Sequence, residues 1–265
     1  MAEWLRRGLQ ILAPRFDSGR GLQLPFAITV RCQYLPFLLD VVGEQAMSHA
    51  AFEALRVKMV DGQLRTTDVT SHPVLDAFLS VPRELFVPAA KNDLAYLDAD
   101  IDLGNGRFLM EASPLAKLIQ LAEIKPTDTV LDVGCASGYG AAILGHIAAK
   151  VIAVEENAAL AETAKANLQS LNAANVEVVV GALTGGHAAK GPFNVIVVEG
   201  AIDSLPASLF DQLADGGRLV AVEGEGLSGI ARVHVKSGKT VSARRGFNLS
   251  VKPLPGFRPE PVFSL

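Results

Sequence analysis

The residues best suited to chemistry sit where apolar runs end. Asp132 lies in the run Val130-Leu131-Asp132-Val133, which breaks at Gly134-Cys135-Ala136-Ser137-Gly138-Tyr139-Gly140. The next β-branched run, Val151-Ile152-Ala153-Val154, ends in Glu155 and Glu156. Glycines let a backbone turn sharply and come close to a ligand. An acid at the tip of the following strand can accept hydrogen bonds from a ribose diol. The spacing Gly134-x3-Gly138-x-Gly140 is not that of a dinucleotide fingerprint. Tyr139 follows Gly138, and with no lysine after it a phosphate loop is also ruled out. A ligand with ribose and no phosphates fits better. Glu199 closes a further apolar run, Val195 to Val198, and is aimed at the same place. Its readings are a base, a contact to a cofactor, or a carboxylate held by backbone N–H groups.

The elements that must position these residues follow from periodicity. Thr129 to Glu156 reads as strand, glycine turn, helix, strand, with Ala142, Ile143, His146 and Ile147 at helical spacing. Leu160 to Leu171 reads as a helix and Val176 to Val180 as a strand ending at Gly181-Ala182-Leu183-Thr184. A strand at Pro192 to Val198, a helix over 205–214 and a strand at Leu219 to Val222 follow. Ile230 to Val235 and Lys239 to Arg245 read as an antiparallel pair across Ser237-Gly238. The expectation is an α/β fold: a mostly parallel, seven-strand-type sheet with helices on both faces. In open sheets of this kind ligands sit beyond the carboxyl ends of the strands.

Composition narrows the class. Of 265 residues, 49% are apolar, ample for a core, and the net charge is −4. No lysine or arginine block is present, which argues against a general nucleic-acid binder. Cys32 and Cys135 give no disulfide framework, and the histidines show no ligand spacing, so no metal is expected and the cytosol is the default compartment. The apolar stretch Leu22 to Val42 is broken by Pro25, Arg31, Pro36 and Asp40, too polar for a membrane helix. Residues 1–46 read as an extension outside the catalytic fold, since Met47 opens a sequence resembling an ordinary start. Residues 47–100 read as a helical lead-in, 101–250 as the ligand-binding domain, and 251–265 as an irregular tail packed by Phe257 and Phe263. A monomer or weak dimer is expected.

Two motifs carry a resemblance. Asp132-x-Gly134-x-Ala136-x-Gly138 resembles the first motif of class I S-adenosylmethionine methyltransferases. Met59 to Pro88, MVDGQLRTTDVTSHPVLDAFLSVPRELFVP, closely resembles the N-terminal segment of protein-L-isoaspartate O-methyltransferases, and the similarity continues to about residue 235. The resemblance implies a Rossmann-like class I methyltransferase fold. It also implies S-adenosyl-L-methionine held by Asp132, Gly134, Cys135, Ala136, Ser137, Gly138, Glu155, Glu156, Gly181, Ala182, Leu183 and Glu199. The implied reaction is carboxyl methylation of L-isoaspartyl residues in damaged proteins and peptides, which leads to their repair.

The chain departs from the family at two points. Where the family's substrate motif runs Gln-Thr-Ile-Ser-x-Pro, this chain has Arg107-Phe108-Leu109-Met110-Glu111-Ala112. Met110 replaces the substrate hydroxyl, leaving Ser113 or the cationic Arg107 to meet a substrate carboxylate. Ala182 stands where an acid usually accepts the adenine amino group, which leaves backbone groups or Thr184. Two alternatives stay open: methylation of a different, small-molecule acceptor with Glu199 as base, and S-adenosylmethionine binding without transfer.

Overall fold

The computed structural model describes residues 48–224 and 226–257, so the readings of residues 1–46 and of Phe263 lie outside the described residues. Helix α1 (His49–Met59) begins where the Ser48 side chain accepts from the Ala51 N–H. Capping of this kind satisfies one of the donors that a helix start leaves without a partner. The chain continues through a wider turn, Val60–Leu64, and a 3-10 turn, Arg65–Thr67. Helix α2 (His72–Ser80) carries a proline in its first turn, where the missing N–H costs nothing.

A hairpin follows that periodicity did not reveal. Strands β1 (Ile101–Gly104) and β2 (Arg107–Leu109) pair antiparallel as a separate two-stranded sheet. The turn between them holds Asn105 and Gly106 at φ of 54° and 70°. Asn-Gly is the residue pair that tolerates left-handed backbone at both central positions of a tight hairpin. The signal was present in the sequence; the strands are too short to show alternation.

After α3 (Ala112–Leu121), the strand–helix alternation builds the main layer. It comprises β3 (Thr129–Val133), α4 (Tyr139–Ile147), β4 (Lys150–Glu155), α5 (Ala158–Ser170), β5 (Val176–Val180) and β6 (Phe193–Ile202). It ends with α6 (Ala207–Asp211), β7 (Leu213–Glu223), β8 (Ile230–Ser237) and β9 (Thr240–Asn248). The seven-stranded sheet runs β5-β4-β3-β6-β7-β8-β9. Its first five strands in that order pair parallel, and β8 and β9 add antiparallel. The expected fold class is therefore the observed one. The helix expected over 205–214 is shorter, because the residues after Asp211 join β7.

Two apolar layers sandwich the sheet. Leu131, Val133, Ile152, Val154, Ile196 and Val198 face one side. Val130, Val151, Ala153, Val195 and Val197 face the other, together with the lead-in helices. Alternate residues of each central strand thus point to opposite faces, both buried, as parallel sheets require. Phe78 of α2 meets the Tyr139 ring of α4 edge-on at 5.8 Å. The lead-in therefore belongs to the same core as the glycine-turn helix. Phe78→Ala is expected to lower unfolding free energy by about 3–5 kcal/mol. Denaturant unfolding checks this, and a change under 1 kcal/mol, roughly a surface effect, would contradict the shared core.

Candidate active site

The strand order reverses between β4 on one side of β3 and β6 on the other. At such a switch point the loops leave in opposite directions and open a crevice at the carboxyl ends. Gly134 and Gly138 turn the chain there at φ of 88° and 94°, and Ala136 is also left-handed at 49°. A side chain at Gly138 would press on Ala164 of α5 rather than project into the crevice. Glycine at 138 is thus demanded by backbone conformation and helix packing. Cys135 is buried, and the Ser137 hydroxyl donates to the Phe86 carbonyl at 2.6 Å, tying the turn to the lead-in.

Glu155 does reach the crevice, but it is not free. It is fully buried at the tip of β4, and its Oε2 accepts from Arg107 Nη2 and from the Ala136 N–H, each at 2.8 Å. Its Oε1 accepts from the Asn157 N–H at 3.0 Å. The β1–β2 hairpin delivers Arg107 from across the crevice, and the same Nη2 also donates to the Gly134 carbonyl. A carboxylate oxygen offers about two acceptor sites. With Arg107 in place, Oε2 is full and only Oε1 has capacity left.

A second carboxylate pair lies beside the first. Glu199 stands in an irregular stretch of β6: Val197 pairs with Val220 and Ala201 with Val222, so four residues of advance on β6 face two on β7. The bulge turns Glu199 out of the ladder toward Asp132. Neither Asp132 oxygen nor Glu199 Oε1 meets a donor. Burial raises the Asp132 pKa well above the ordinary carboxylate range, and the neighbouring Glu199 raises it further. Burial likewise brings Glu199 up to about 7, against the lowering effects of the bond to Asp132 and of Arg107. A proton held between two carboxyls supplies the donor that both lack. Gly140 makes room for this pair, since a Cβ there would collide with the Glu199 carboxylate.

Glu199, Arg107 and Met110 line a shallow, nearly closed cleft of about 10 Å³ with Asp100, Phe108, Lys252 and Pro253. The Met110 carbonyl is fixed by the buried Arg83, whose Nη2 donates to it at 2.7 Å. Arg107 Nε is buried without an acceptor. Ser113 is not among the cleft residues; its hydroxyl shares a 2.8 Å hydrogen bond with Thr67 at the start of α3. Two larger cavities are lined by residues such as Gly145, Asn172 and Asn175. Those residues precede β4 and β5 and lie at the wrong end of the strands for this chemistry.

Sequence reasoning missed the residues that cover the crevice. The segment 252–257 crosses the strand ends. Leu254 donates its N–H to the Ala201 carbonyl at 2.8 Å, and the Ala201 N–H donates to the Lys252 carbonyl at 2.9 Å. A Cβ placed on Gly134 would lie 2.8 Å from Leu254 Cδ1 and 3.2 Å from Arg107 Nη2. Further along, a Cβ on Gly256 would lie 3.9 Å from both Glu156 Oε2 and Thr184 Cγ2. Gly181 and Leu183 sit at the tip of β5, with Leu183 buried and Ala182 exposed. The chemistry of this set suits a nucleoside: glycine turn, buried acid, and backbone at the β5 tip. Leu254 and the Arg107 guanidinium stand over Gly134.

Comparison with known proteins places the chain. The family model for protein-L-isoaspartate(D-aspartate) O-methyltransferase matches residues 56–248. A protein-L-isoaspartate O-methyltransferase of Roseiflexus castenholzii is 37% identical over 201 residues, 76% of this chain and 92% of that protein. One from Koribacter versatilis is 39% identical over 165 residues, 62% and 74% of the two chains. A solved protein-L-isoaspartate O-methyltransferase superposes with a TM-score of 0.66 at 24% identity, over 77% of this chain and 66% of that one. A Plasmodium falciparum relative, solved in complex with S-adenosyl-L-homocysteine, gives 0.62 at 20% identity over 77% and 97%. These two likenesses concern the fold. No helix among the described residues is long and apolar enough to cross a membrane.

Two outcomes test the site's electrostatics. Glu155→Gln leaves the Arg107 guanidinium buried without a charge partner and is expected to cost roughly 3–5 kcal/mol of stability. The double variant Glu155→Gln with Arg107→Met recovers most of that loss in denaturant unfolding; simple additivity would sink the pairing. The second outcome concerns pH. With its pKa at about 7, Glu199 binds a proton more tightly in the native state than in the unfolded chain. Its contribution is complete at low pH and is lost as pH rises through about 7. Glu199→Gln is therefore expected to flatten the fall in stability between pH 5 and 8, and an unchanged pH profile would contradict the assignment.

Proposed function

We propose, for a chain that belongs to the protein-L-isoaspartate(D-aspartate) O-methyltransferase family, that it methylates the carboxylate of L-isoaspartyl residues in damaged proteins, using S-adenosyl-L-methionine. The observation that carries this reading is the family match over residues 56–248, which spans both the lead-in and the crevice. The bound donor supplies an electrophilic methyl group on a sulfonium. Everything else is positioning, which for an in-line displacement between held partners is a large part of the rate.

An isoaspartyl carboxylate has an ordinary pKa near 4, so it reaches the cleft already ionised. No general base is needed. What the cleft must do is accept an anion. Arg107 is the residue suited to it: its Nε is buried, lacks an acceptor, and lies among the cleft residues. A guanidinium can present two donors to one carboxylate. Lys252 adds a second cation at the cleft, held over the Phe108 ring at 5.4 Å. Met110 supplies an apolar wall where relatives have a hydroxyl. Ser113, bonded to Thr67, does not replace it.

Glu199 at first looks hostile to an anionic acceptor. Two full charges at 4 Å repel by about 4 kcal/mol at an effective dielectric near 20. The proton shared with Asp132 removes much of that charge, and the elevated pKa of Glu199 keeps it partly protonated at neutral pH. At the donor end, Gly134, Cys135, Ala136, Ser137 and Gly138 shape the turn, and Glu155 is the acid for the ribose diol. Glu156, Gly181, Ala182 and Leu183 border the adenine position. No carboxylate stands at Ala182, so backbone groups and Thr184 are left to recognise the base. The net charge of −4, with no basic block, favours peptide chains over nucleic acid as substrate; a cytoplasmic monomer or weak dimer completes the reading.

One observation favours a second reading. A carboxyl titrating at about 7 inside the cleft is well matched to take a proton from a neutral acceptor. A small hydroxyl or amine substrate would use it; an isoaspartyl group would not.

The deciding experiment is methyl transfer from labelled S-adenosylmethionine to a peptide with one L-isoaspartyl residue, against the normal aspartyl peptide. Selective labelling of the isoaspartyl peptide is expected. Absence of labelling, with donor binding confirmed in the same sample, overturns the repair reading and favours an acceptor that needs Glu199.

A further inference from the structure

The C-terminal segment and the methyl donor claim the same place. Ligands of this fold sit outside the carboxyl ends at the switch point, over the bare backbone of the glycine turn. In this chain the Leu254 side chain fills the space above Gly134. The segment also presses on Gly200 of β6, where a Cβ would lie 2.9 Å from Leu254 Cβ. It then passes Glu156 and Thr184, the border of the adenine position. Leu254 and Phe257 are 2% and 4% exposed and pack on Leu131, Val133 and Leu183. Arg107 completes the closure by occupying Glu155.

We propose that Lys252–Phe257 is an autoinhibitory strap that closes the donor groove, and that donor binding releases it together with Arg107. The inference rests on the methyl-donor reading of the crevice. The strap is built to leave. Among the described residues its bridge to the sheet joins Pro253 to Ala201, through the two backbone bonds between Ala201 and Lys252 and Leu254. Pro253 and Pro255 lack N–H groups, so the segment cannot zip into a full strand. The apolar side chains of Leu254 and Phe257 hold it down, while its sparse backbone bonding lets it open locally without unfolding the sheet.

The same segment touches both sites. Lys252 and Pro253 line the acceptor cleft while Leu254 blocks the donor groove. Release of the strap thus opens the donor groove and reshapes the acceptor cleft in one movement. Arg107 spans the same boundary: its Nη2 is on Glu155, its Nε is buried without an acceptor, and the residue lines the cleft. Once a ribose diol takes Glu155 Oε2, the guanidinium is free to turn wholly to the acceptor. The consequence is an order of binding, donor before acceptor.

The test is S-adenosylhomocysteine binding by calorimetry, for the unaltered chain, for Leu254→Ala, and for a chain ending at Val251. A closed groove lowers apparent affinity by the fraction of open chains, so both variants are expected to bind about tenfold more tightly. Hydrogen exchange on the unaltered chain gives a second readout that needs no variant. The Leu254 and Ala201 amides are expected to lose protection when S-adenosylhomocysteine is added. Equal or weaker binding by the variants, or protection that holds or rises, overturns the strap and leaves the donor reading standing. No binding by any of the three chains overturns the donor reading as well. If either variant fails to fold, the exchange experiment decides.

Discussion

The ion pair between Arg107 and Glu155 organises the functional end of this molecule. Both side chains are almost wholly buried, at 4% and 0% exposure. Removing two charges from water is costly, and their mutual attraction offsets that only with good geometry and extra hydrogen bonds. Here the extra bonds are present: Ala136 and Asn157 donate to the carboxylate, and Gly134 accepts from the guanidinium. The pair therefore fixes three things at once. It ties the β1–β2 hairpin to the main sheet, holds the glycine turn against β4, and sets the charge state of the crevice.

That charge state is unusual. Asp132 and Glu199 lie close enough to the Arg107–Glu155 pair to feel its charges, but only Glu155 touches the guanidinium. An excess of carboxylates in a buried space is relieved by protonation, and the Asp132–Glu199 pair is where the proton goes. The bulge in β6 is what makes this pairing geometrically accessible, and Gly140 is what gives it room. The site is thus a compromise between holding a cationic donor, for which negative charge is favourable, and admitting an anionic acceptor, for which it is not. Arg107 and Lys252 shift that balance back toward the acceptor on the cleft side.

The lead-in explains how so crowded a site stays ordered. Arg83 is fully buried, lies 4.8 Å over the Tyr139 ring, and holds the carbonyls of Ala95 and Met110. Its pKa is lowered by burial. Phe86 receives the Ser137 hydroxyl on its carbonyl. The helical segment before the sheet is therefore a buttress: its polar atoms clamp the glycine turn on one side and the chain just after β2 on the other.

The sequence by itself determined the sheet and the glycine turn, and it pointed to the strand ends where the crevice lies. Those features depend on local backbone needs and on two-sided burial, both of which leave period and glycine signatures in the chain. Val130 to Val133 and Val151 to Val154 could be little else. Asn105-Gly106 carried a hairpin signal that short strands obscured. What the tertiary structure alone decided is the state of the site. Glu155 was legible as an acid at a strand tip, but not as the partner of Arg107, which lies 48 residues away in the chain. Glu199 was aimed correctly, yet its proton-sharing with Asp132 depends on a bulge that no pattern announces. Ser113 was a candidate until its hydroxyl met Thr67. Leu254 looked like part of an irregular tail. Its place over Gly134 is set by how a long-range segment packs on a surface left bare by glycine, and contacts across that separation leave no mark in local sequence.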